Sequence, residues 1–336
     1  MNKYKNSNAY KNGKFTNAVP WNRLSIKDNI AVIWKYFTLK NNRTPAAPLP
    51  LTQANTALFN SSKQGIVSLW LGHSSLMINI DGYKILTDPV FQKRVSLFGP
   101  VRYNGKTPVN EKEIKEIDAV IVSHNHYDHL NKFTIKLLAN RTKNFIVPLG
   151  VGKILQDFGI PENKIVELDW WQAYRINNNL FICATPSQHF SGRGLLDGNK
   201  TLWASFVIKT DNHKIFFGGD SGYFAGFKEI GEKFGPFDMT FLECGAYDKN
   251  WHDIHMFPEE TVKAHIDLRG NILHPIHWGT FNLALHSWHE PMERLSKAAE
   301  TLQIRTAFPV AGGAVEFGKN MPELKWWKQF VNNNNK

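Results

Sequence analysis

The stretch that most constrains this chain is DAVIVSHNHYDHLN, residues 118–131, in which an apolar strand pattern runs without a break into three histidines and an aspartate. A helical pattern begins directly afterwards. The polar cluster therefore belongs on the loop at a strand's carboxyl end, where layered α/β folds collect binding residues. While the chain is still extended, His124 and His126 project to the same side. Asp128 and His129 follow a turn later and can address a second point in space. Imidazole and carboxylate donors in this mixture suit zinc, manganese or iron better than calcium or magnesium. A solvated polar loop is the plain alternative, and the exact His-x-His-x-Asp-His spacing argues against it.

A site for two ions needs more than four ligands. Three further candidates stand at the ends of apolar segments: His189 in ATPSQHFSG, Asp220 in IFFGGDSGY and His277 in HPIHWGT. Singly each is weak, because a lone histidine near a strand end is more often structural. Together with the first four they make a set of seven.

From residue 64 onward the chain reads as short strands rich in Val, Ile and Phe, bounded by turn residues: GIVSLWLG, SLMINID, YKILTDP, DAVIVSH, NFIVPLG, LFICATP, ASFVIKT, HKIFFGGD, DMTFLEC and NILHPIH. Helical stretches intervene at NKFTIKLLAN, VGKILQDFG, PEETVKAHIDL and EPMERLSKAAETLQ. This order predicts an α/β fold in which two sheets pack face to face with helices outside. No internal repeat is visible at the usual periods. Residues 1–63 read as an N-terminal extension with a Pro-rich linker, and residues 64–336 as the main domain. Within the extension, residues 25–40 form an amphipathic helical pattern with Ile30, Ile33, Trp34 and Phe37 on one stripe. Packing onto the main domain is the ordinary use of such a stripe; peripheral contact with a membrane is the sharper one.

Composition narrows the function classes. With 336 residues and 42% hydrophobic content, the chain can bury a substantial core, which excludes disordered and fibrous classes. Cys183 and Cys244 are too few and too widely spaced for a disulfide framework or a thiolate metal site, which favours a reduced, cytoplasmic setting. No signal-peptide pattern opens the sequence, and no run of 18 apolar residues suggests a membrane span. The net charge of +11 favours anionic partners, but the basic residues are scattered rather than blocked, so no nucleic-acid partner is expected.

The motifs, taken together, resemble the metallo-β-lactamase fold superfamily, and within it the branch of N-acylphosphatidylethanolamine-hydrolysing phospholipase D. The similar segments are WLGHSSLMINIDGYKILTDPVF (70–91), VSHNHYDHL (122–130), TPSQHFSGRG (185–194), FFGGDSGY (216–223), GAY (245–247), IHMFPEE (254–260) and IHWGTF (276–281). The resemblance implies a four-layer αββα sandwich holding two divalent ions, with zinc the usual occupant and manganese or iron as alternatives. By position it assigns His124, His126 and His189 to one ion, Asp128, His129 and His277 to the other, and Asp220 to both. It also places Asp88 behind the ligands and His255 facing the substrate; His73 matches a signature of that branch and is grouped with Asp88 behind the ligands, its own residues allowing either a satisfied buried histidine or a direct contact with an ion. On its residues alone, His255 could donate a proton, bind phosphate or cap its loop. Glu243 and Cys244 depart from the apolar and small residues of that branch.

Such a centre can hold a water between its ions, lower the pKa of that water and present hydroxide to an electrophile, with Asp128 as the orienting carboxylate. The expected function is therefore a metal-dependent hydrolase acting on a small molecule or phospholipid, in its sharpest form a phosphodiesterase of phospholipase D type. A lactonase or sugar-phosphate lactone hydrolase is the alternative within the same fold. A non-catalytic, metal-stabilised scaffold is the alternative outside enzymology, although it does not need seven ligands.

Overall fold

A computed structural model of the chain describes residues 4–21, 25–39, 41–97, 99–194 and 196–331. It opens with a hairpin, β1 (Tyr10–Lys11) and β2 (Lys14–Phe15), and two helices, α1 (Ile26–Thr38) and α2 (Thr56–Ser61). Next come β3 (Ile66–Trp70), β4 (Leu76–Ile80), β5 (Tyr83–Thr87), β6 (Ile117–Ile121), α3 (Lys132–Leu138), β7 (Thr142–Pro148), α4 (Val151–Asp157) and β8 (Ile165–Leu168). A second series follows: β9 (Ala173–Ile176), β10 (Leu180–Thr185), β11 (Ser205–Lys209), β12 (Lys214–Phe217), α5 (Gly226–Phe234), β13 (Phe237–Glu243), α6 (Pro258–Asp267), β14 (Gly270–Ile276), α7 (Glu290–Thr301) and β15 (Arg305–Thr306). A short strand, β16 (Ala314–Glu316), and a final helical turn, α8 (Lys328–Val331), end the described chain.

Two seven-stranded sheets result, in the orders β16-β3-β4-β5-β6-β7-β8 and β15-β14-β13-β12-β11-β10-β9. Each is antiparallel where hairpins or loops join its strands, through β3 to β5 and β9 to β12, and parallel where the chain crosses over, through β5 to β8 and β12 to β15, by α-helices except between β5 and β6, where a long loop makes the crossing. One connectivity thus occurs twice, although no repeat shows in the residues. Strands β8 and β9 go beyond the expected set, as do the short β15 and β16 and the hairpin β1–β2. The half-exposed, polar-interrupted sequences of β8 and β9, IVEL and AYRI, carry little of the apolar signal that marks the expected strands.

The four layers follow from side-chain alternation. In β6, Ala119 and Ile121 join a core cluster with Ile182, Ile208, Ile215 and Phe217 of the second sheet, while Val120, and Val122 just after the strand, pack with Ile135 and Leu138 of α3 and Leu155 of α4. Both faces of the strand are covered, which is why its sequence is a continuous apolar run rather than an alternating one. Each such buried aliphatic contributes roughly 1.5–3 kcal/mol. Helix α3 begins directly after the histidine-rich loop because Asn131 Oδ1 accepts the Thr134 amide at 3.0 Å, a cap that stabilises by about 1 kcal/mol.

The amino-terminal segment is packed against this body. Phe15 is fully buried with Ala9, Leu202 and Trp203, and Asn17 Oδ1 accepts both the His189 amide at 3.1 Å and Trp203 Nε1 at 2.8 Å. Helix α1 is tied down by Tyr36, whose hydroxyl donates to Asn282 O at 3.0 Å. Its Ile30 and Trp34 are 62% and 66% exposed; the side chains of Ile33 and Phe37 lie outside the described residues, as does the Asn-rich tail after Val331. Among the described residues no helix is long and apolar enough to cross a membrane, and both cysteines are free and buried.

Removing the Phe15 ring deletes a filled core contact. Phe15→Ala is expected to lower stability by about 3–5 kcal/mol in denaturant titration. A loss below about 1 kcal/mol would show that the hairpin contributes little to the folded body.

Candidate metal centre

The parallel register of β5 and β6 pairs Thr87 with Ile121, so Asp88 and the histidine-rich loop leave the sheet side by side. Asp88 is fully buried. Its Oδ1 accepts the Ser123 amide at 2.7 Å, and its Oδ2 accepts Ser123 Oγ and His129 Nδ1, both at 2.6 Å. Ser123 Oγ lies 2.9 Å from His124 Nδ1. With its own hydrogen given to Asp88, that hydroxyl accepts from His124. One carboxylate therefore turns the Nε2 atoms of two imidazoles toward the same interior. Asp88, His73 and His277 all have left-handed backbone, with φ of 38°, 57° and 64°, a cost that clusters where a site dictates conformation.

The seven residues come together in two groups. In the first, His126 Nδ1 lies 2.8 Å from His124 Nε2 and 3.3 Å from His189 Nε2. In the second, Asp128 Oδ2 lies 3.4 Å from His129 Nε2 and 3.7 Å from His277 Nε2. Asp220, from the loop after β12, stands between them. Its Oδ2 is 3.1 Å from both His129 Nε2 and His277 Nε2, and 3.9 Å and 3.8 Å from the Nε2 atoms of His124 and His189. His73 is closer in than a residue behind the ligands: its Nε2 lies 2.9 Å from Asp128 Oδ2, and its ring centroid is 4.0 Å from that of His277. Among the described residues, His213, His252, His265, His274, His286 and His289 take no part in these groups.

Burial lowers the pKa of His124, His126 and His189, that of His126 to about 4, so the first group is neutral and its nitrogen lone pairs are free to ligate. In the second group burial also opposes charge, but the carboxylates of Asp220 and Asp128 outweigh it. They hold His129 well above its usual pKa and His277 near 10. The buried carboxylates thus draw positive charge to the centre. A divalent ion held here would supply that charge, with His129 and His277 as neutral ligands.

The donor set fits metal ions on a second ground. His129 Nε2, His277 Nε2 and Asp220 Oδ1 are buried without a hydrogen-bond partner, a condition that costs about 1–3 kcal/mol for each group unless something satisfies it. These atoms belong to the residues already gathered around Asp220. His124, His126 and His189 could hold one ion, His73, Asp128, His129 and His277 another, with Asp220 in reach of both.

Over this centre opens a cleft of about 890 Å³, walled by Trp21, Tyr127, Phe190, Trp251, Ile254 and Leu283, with His255 on its lining. His255 Nδ1 lies 2.8 Å from Glu243 Oε2. Sequence reasoning marked Glu243 only as a departure and passed over Ser123, Asn17 and Arg193. Arg193 Nη1 donates to Asn125 O at 2.6 Å and Leu130 O at 2.8 Å, bracing the histidine-rich loop. The SGRG segment held that signal; nothing in the sequence pointed to Asn17.

Asp88→Asn keeps the size of the side chain but weakens its acceptance from His129 and Ser123. Zinc affinity, read by competition with a chromophoric chelator, is expected to fall about 10- to 100-fold. An unchanged affinity would mean that the loop holds its histidines without this carboxylate.

A family model described as a β-lactamase superfamily domain matches residues 83–278. An uncharacterized protein of Mycobacterium tuberculosis is 41% identical over 328 residues, covering 95% of this chain and 87% of its own length. The N-acyl-phosphatidylethanolamine-hydrolyzing phospholipase D 1 of Caenorhabditis elegans is 34% identical over 251 residues, 70% of each chain. The solved structure of Igni18, a metallo hydrolase of Ignicoccus hospitalis, superposes with a TM-score of 0.57 at 20% identity, covering 76% of this chain and 99% of that one, a likeness of fold alone. The family match spans more than half of the chain and includes the histidine-rich loop, Asp220 and His277, so the chain belongs to the metallo-β-lactamase superfamily and is a metal-dependent hydrolase of that fold.

Proposed function

We propose that this hydrolase cleaves phosphodiesters of phospholipid type, with N-acylphosphatidylethanolamine as the leading candidate substrate. The observation that carries the reading is the shape of the site: a polar floor of histidines and carboxylates beneath a cleft of about 890 Å³ whose walls combine aromatic and aliphatic side chains with the basic Lys14 and Arg193. A phosphoryl group fits the floor and acyl chains fit the walls. A small lactone would leave most of that apolar wall unused.

In this reading His124, His126 and His189 would hold one zinc ion and Asp128, His129 and His277 the other, with Asp220 in reach of both. When bound, the pair supplies Lewis-acid neutralisation of the phosphoryl oxygens and a lowered pKa for water. The chain's own residues do the rest. His73 fixes Asp128 through the 2.9 Å contact at Oδ2, leaving the other carboxylate oxygen to accept a proton from the attacking water. His255, with Nδ1 engaged by Glu243, has Nε2 free to hydrogen-bond a phosphoryl oxygen. The aromatic walls exclude bulk water and strengthen these polar contacts.

The division at residue 63 belongs to the same proposal. Strand β3 begins the first sheet at Ile66, and the preceding segment caps the cleft. We also propose that α1 rests on a membrane surface: Ile30 and Trp34 are exposed beside the basic Lys27, and the chain carries a net charge of +11.

Stripping metal with a chelator is expected to abolish release of phosphatidic acid from N-acylphosphatidylethanolamine vesicles, and added zinc to restore it. His126→Ala is expected to stay folded and lose more activity than the about 10- to 100-fold typical of residues behind the ligands. If the zinc-loaded enzyme leaves that lipid intact but opens lactones, the phospholipid reading falls. Trp34→Glu is expected to weaken co-sedimentation with anionic vesicles while sparing hydrolysis of a water-soluble diester; unchanged sedimentation would remove α1 from the membrane reading.

A further inference from the structure

Glu243 ends β13 and is fully buried, a position where a carboxylate persists only if it is partnered. Its Oε1 accepts the Ser221 amide at 2.9 Å, next to Asp220 in the chain. Its Oε2 faces two imidazoles, His255 Nδ1 at 2.8 Å and His277 Nδ1 at 3.8 Å, a hydrogen bond and a longer electrostatic contact respectively. His277 Nδ1 has no hydrogen-bond partner among the described residues. The register explains the approach: β13 and β14 pair Glu243 with Ile276, so His277 leaves its strand directly beside the carboxylate.

We propose that Glu243 is a positioning residue of this centre, one carboxylate that orients both the ligand His277 and the cleft residue His255. It holds His255 as the Nδ1–H tautomer, leaving Nε2 as the nitrogen available to substrate. It backs His277 from the Nδ1 side, so that Nε2 is directed at Asp220. The arrangement is the counterpart, on the second sheet, of what Asp88 does for His129 and His124 on the first. A purely structural role would be served equally by glutamine, whose oxygen accepts from Ser221. Only a carboxylate has a second acceptor oxygen for the imidazoles.

The inference rests on the reading of His277 as a metal ligand and His255 as a substrate contact, and the tests separate the two. Glu243→Gln is expected to lower zinc affinity about 10- to 100-fold by chelator competition. At saturating zinc it is expected to impair hydrolysis of bis(p-nitrophenyl) phosphate at least about 10-fold, and to add no further kinetic loss in a His255→Ala background while still weakening zinc binding there. In the unaltered zinc-loaded protein, nitrogen-15 imidazole spectra are expected to show His255 protonated on Nδ1, a measurement that does not depend on how the variant folds. Unchanged zinc affinity and kinetics in Glu243→Gln, or a neutral His255 protonated on Nε2, would overturn the proposal. Normal zinc binding by His277→Ala would instead remove the ligand assignment beneath it.

Discussion

The centre depends on one oxygen atom. Asp220 Oδ2 has four imidazole nitrogens within 3.9 Å, two from the histidine-rich loop after β6, one from the loop after β10 and one from the loop after β14. A carboxylate this enclosed is tenable only where positive charge surrounds it. The demand for charge at this point is what suits the cluster to a metal ion. It also joins the two sheets, because Asp220 comes from the second and His124 and His129 from the first.

The repeated connectivity makes that meeting possible. In each sheet a change from antiparallel to parallel pairing sets strand ends side by side, and the residues leaving those ends converge on one edge. On the first sheet the Thr87–Ile121 pairing brings Asp88 against Ser123 and His129. On the second, the Glu243–Ile276 pairing brings Glu243 against His277. Each sheet thus contributes candidate ligands and a buried carboxylate set against them.

Much of this was legible in the sequence, for reasons that differ by residue. His124, His126, Asp128 and His129 could be read together because a short loop keeps them near one another whatever the tertiary fold. His189, Asp220 and His277 needed the further idea that strand ends share an edge, and the two sheets bear out that layered fold. The Glu243–His255 pair spans 12 positions and depends on the trajectory of the loop after β13, which no periodicity encodes. Asn17 lies 172 residues from the His189 backbone it holds. Contacts of that kind arise from packing alone.

The origin of the cleft walls bears on how such a site acquires its substrate. The floor residues Asp128, Asp220 and His277 lie within the matched segment 83–278, whereas Lys14, Trp21 and Leu283 on the lining lie outside it. Trp21 packs against Phe190, its ring centroid 6.0 Å away and nearly parallel, directly after the ligand His189. A change at Trp21 can therefore reshape the space above the centre, whereas a change at Asn17 of the same segment would reach the His189 backbone. The walls are thus built from both sources, Tyr127, Phe190, Trp251 and Ile254 from the matched segment and Trp21 and Leu283 from outside it, while the floor comes from the matched segment alone.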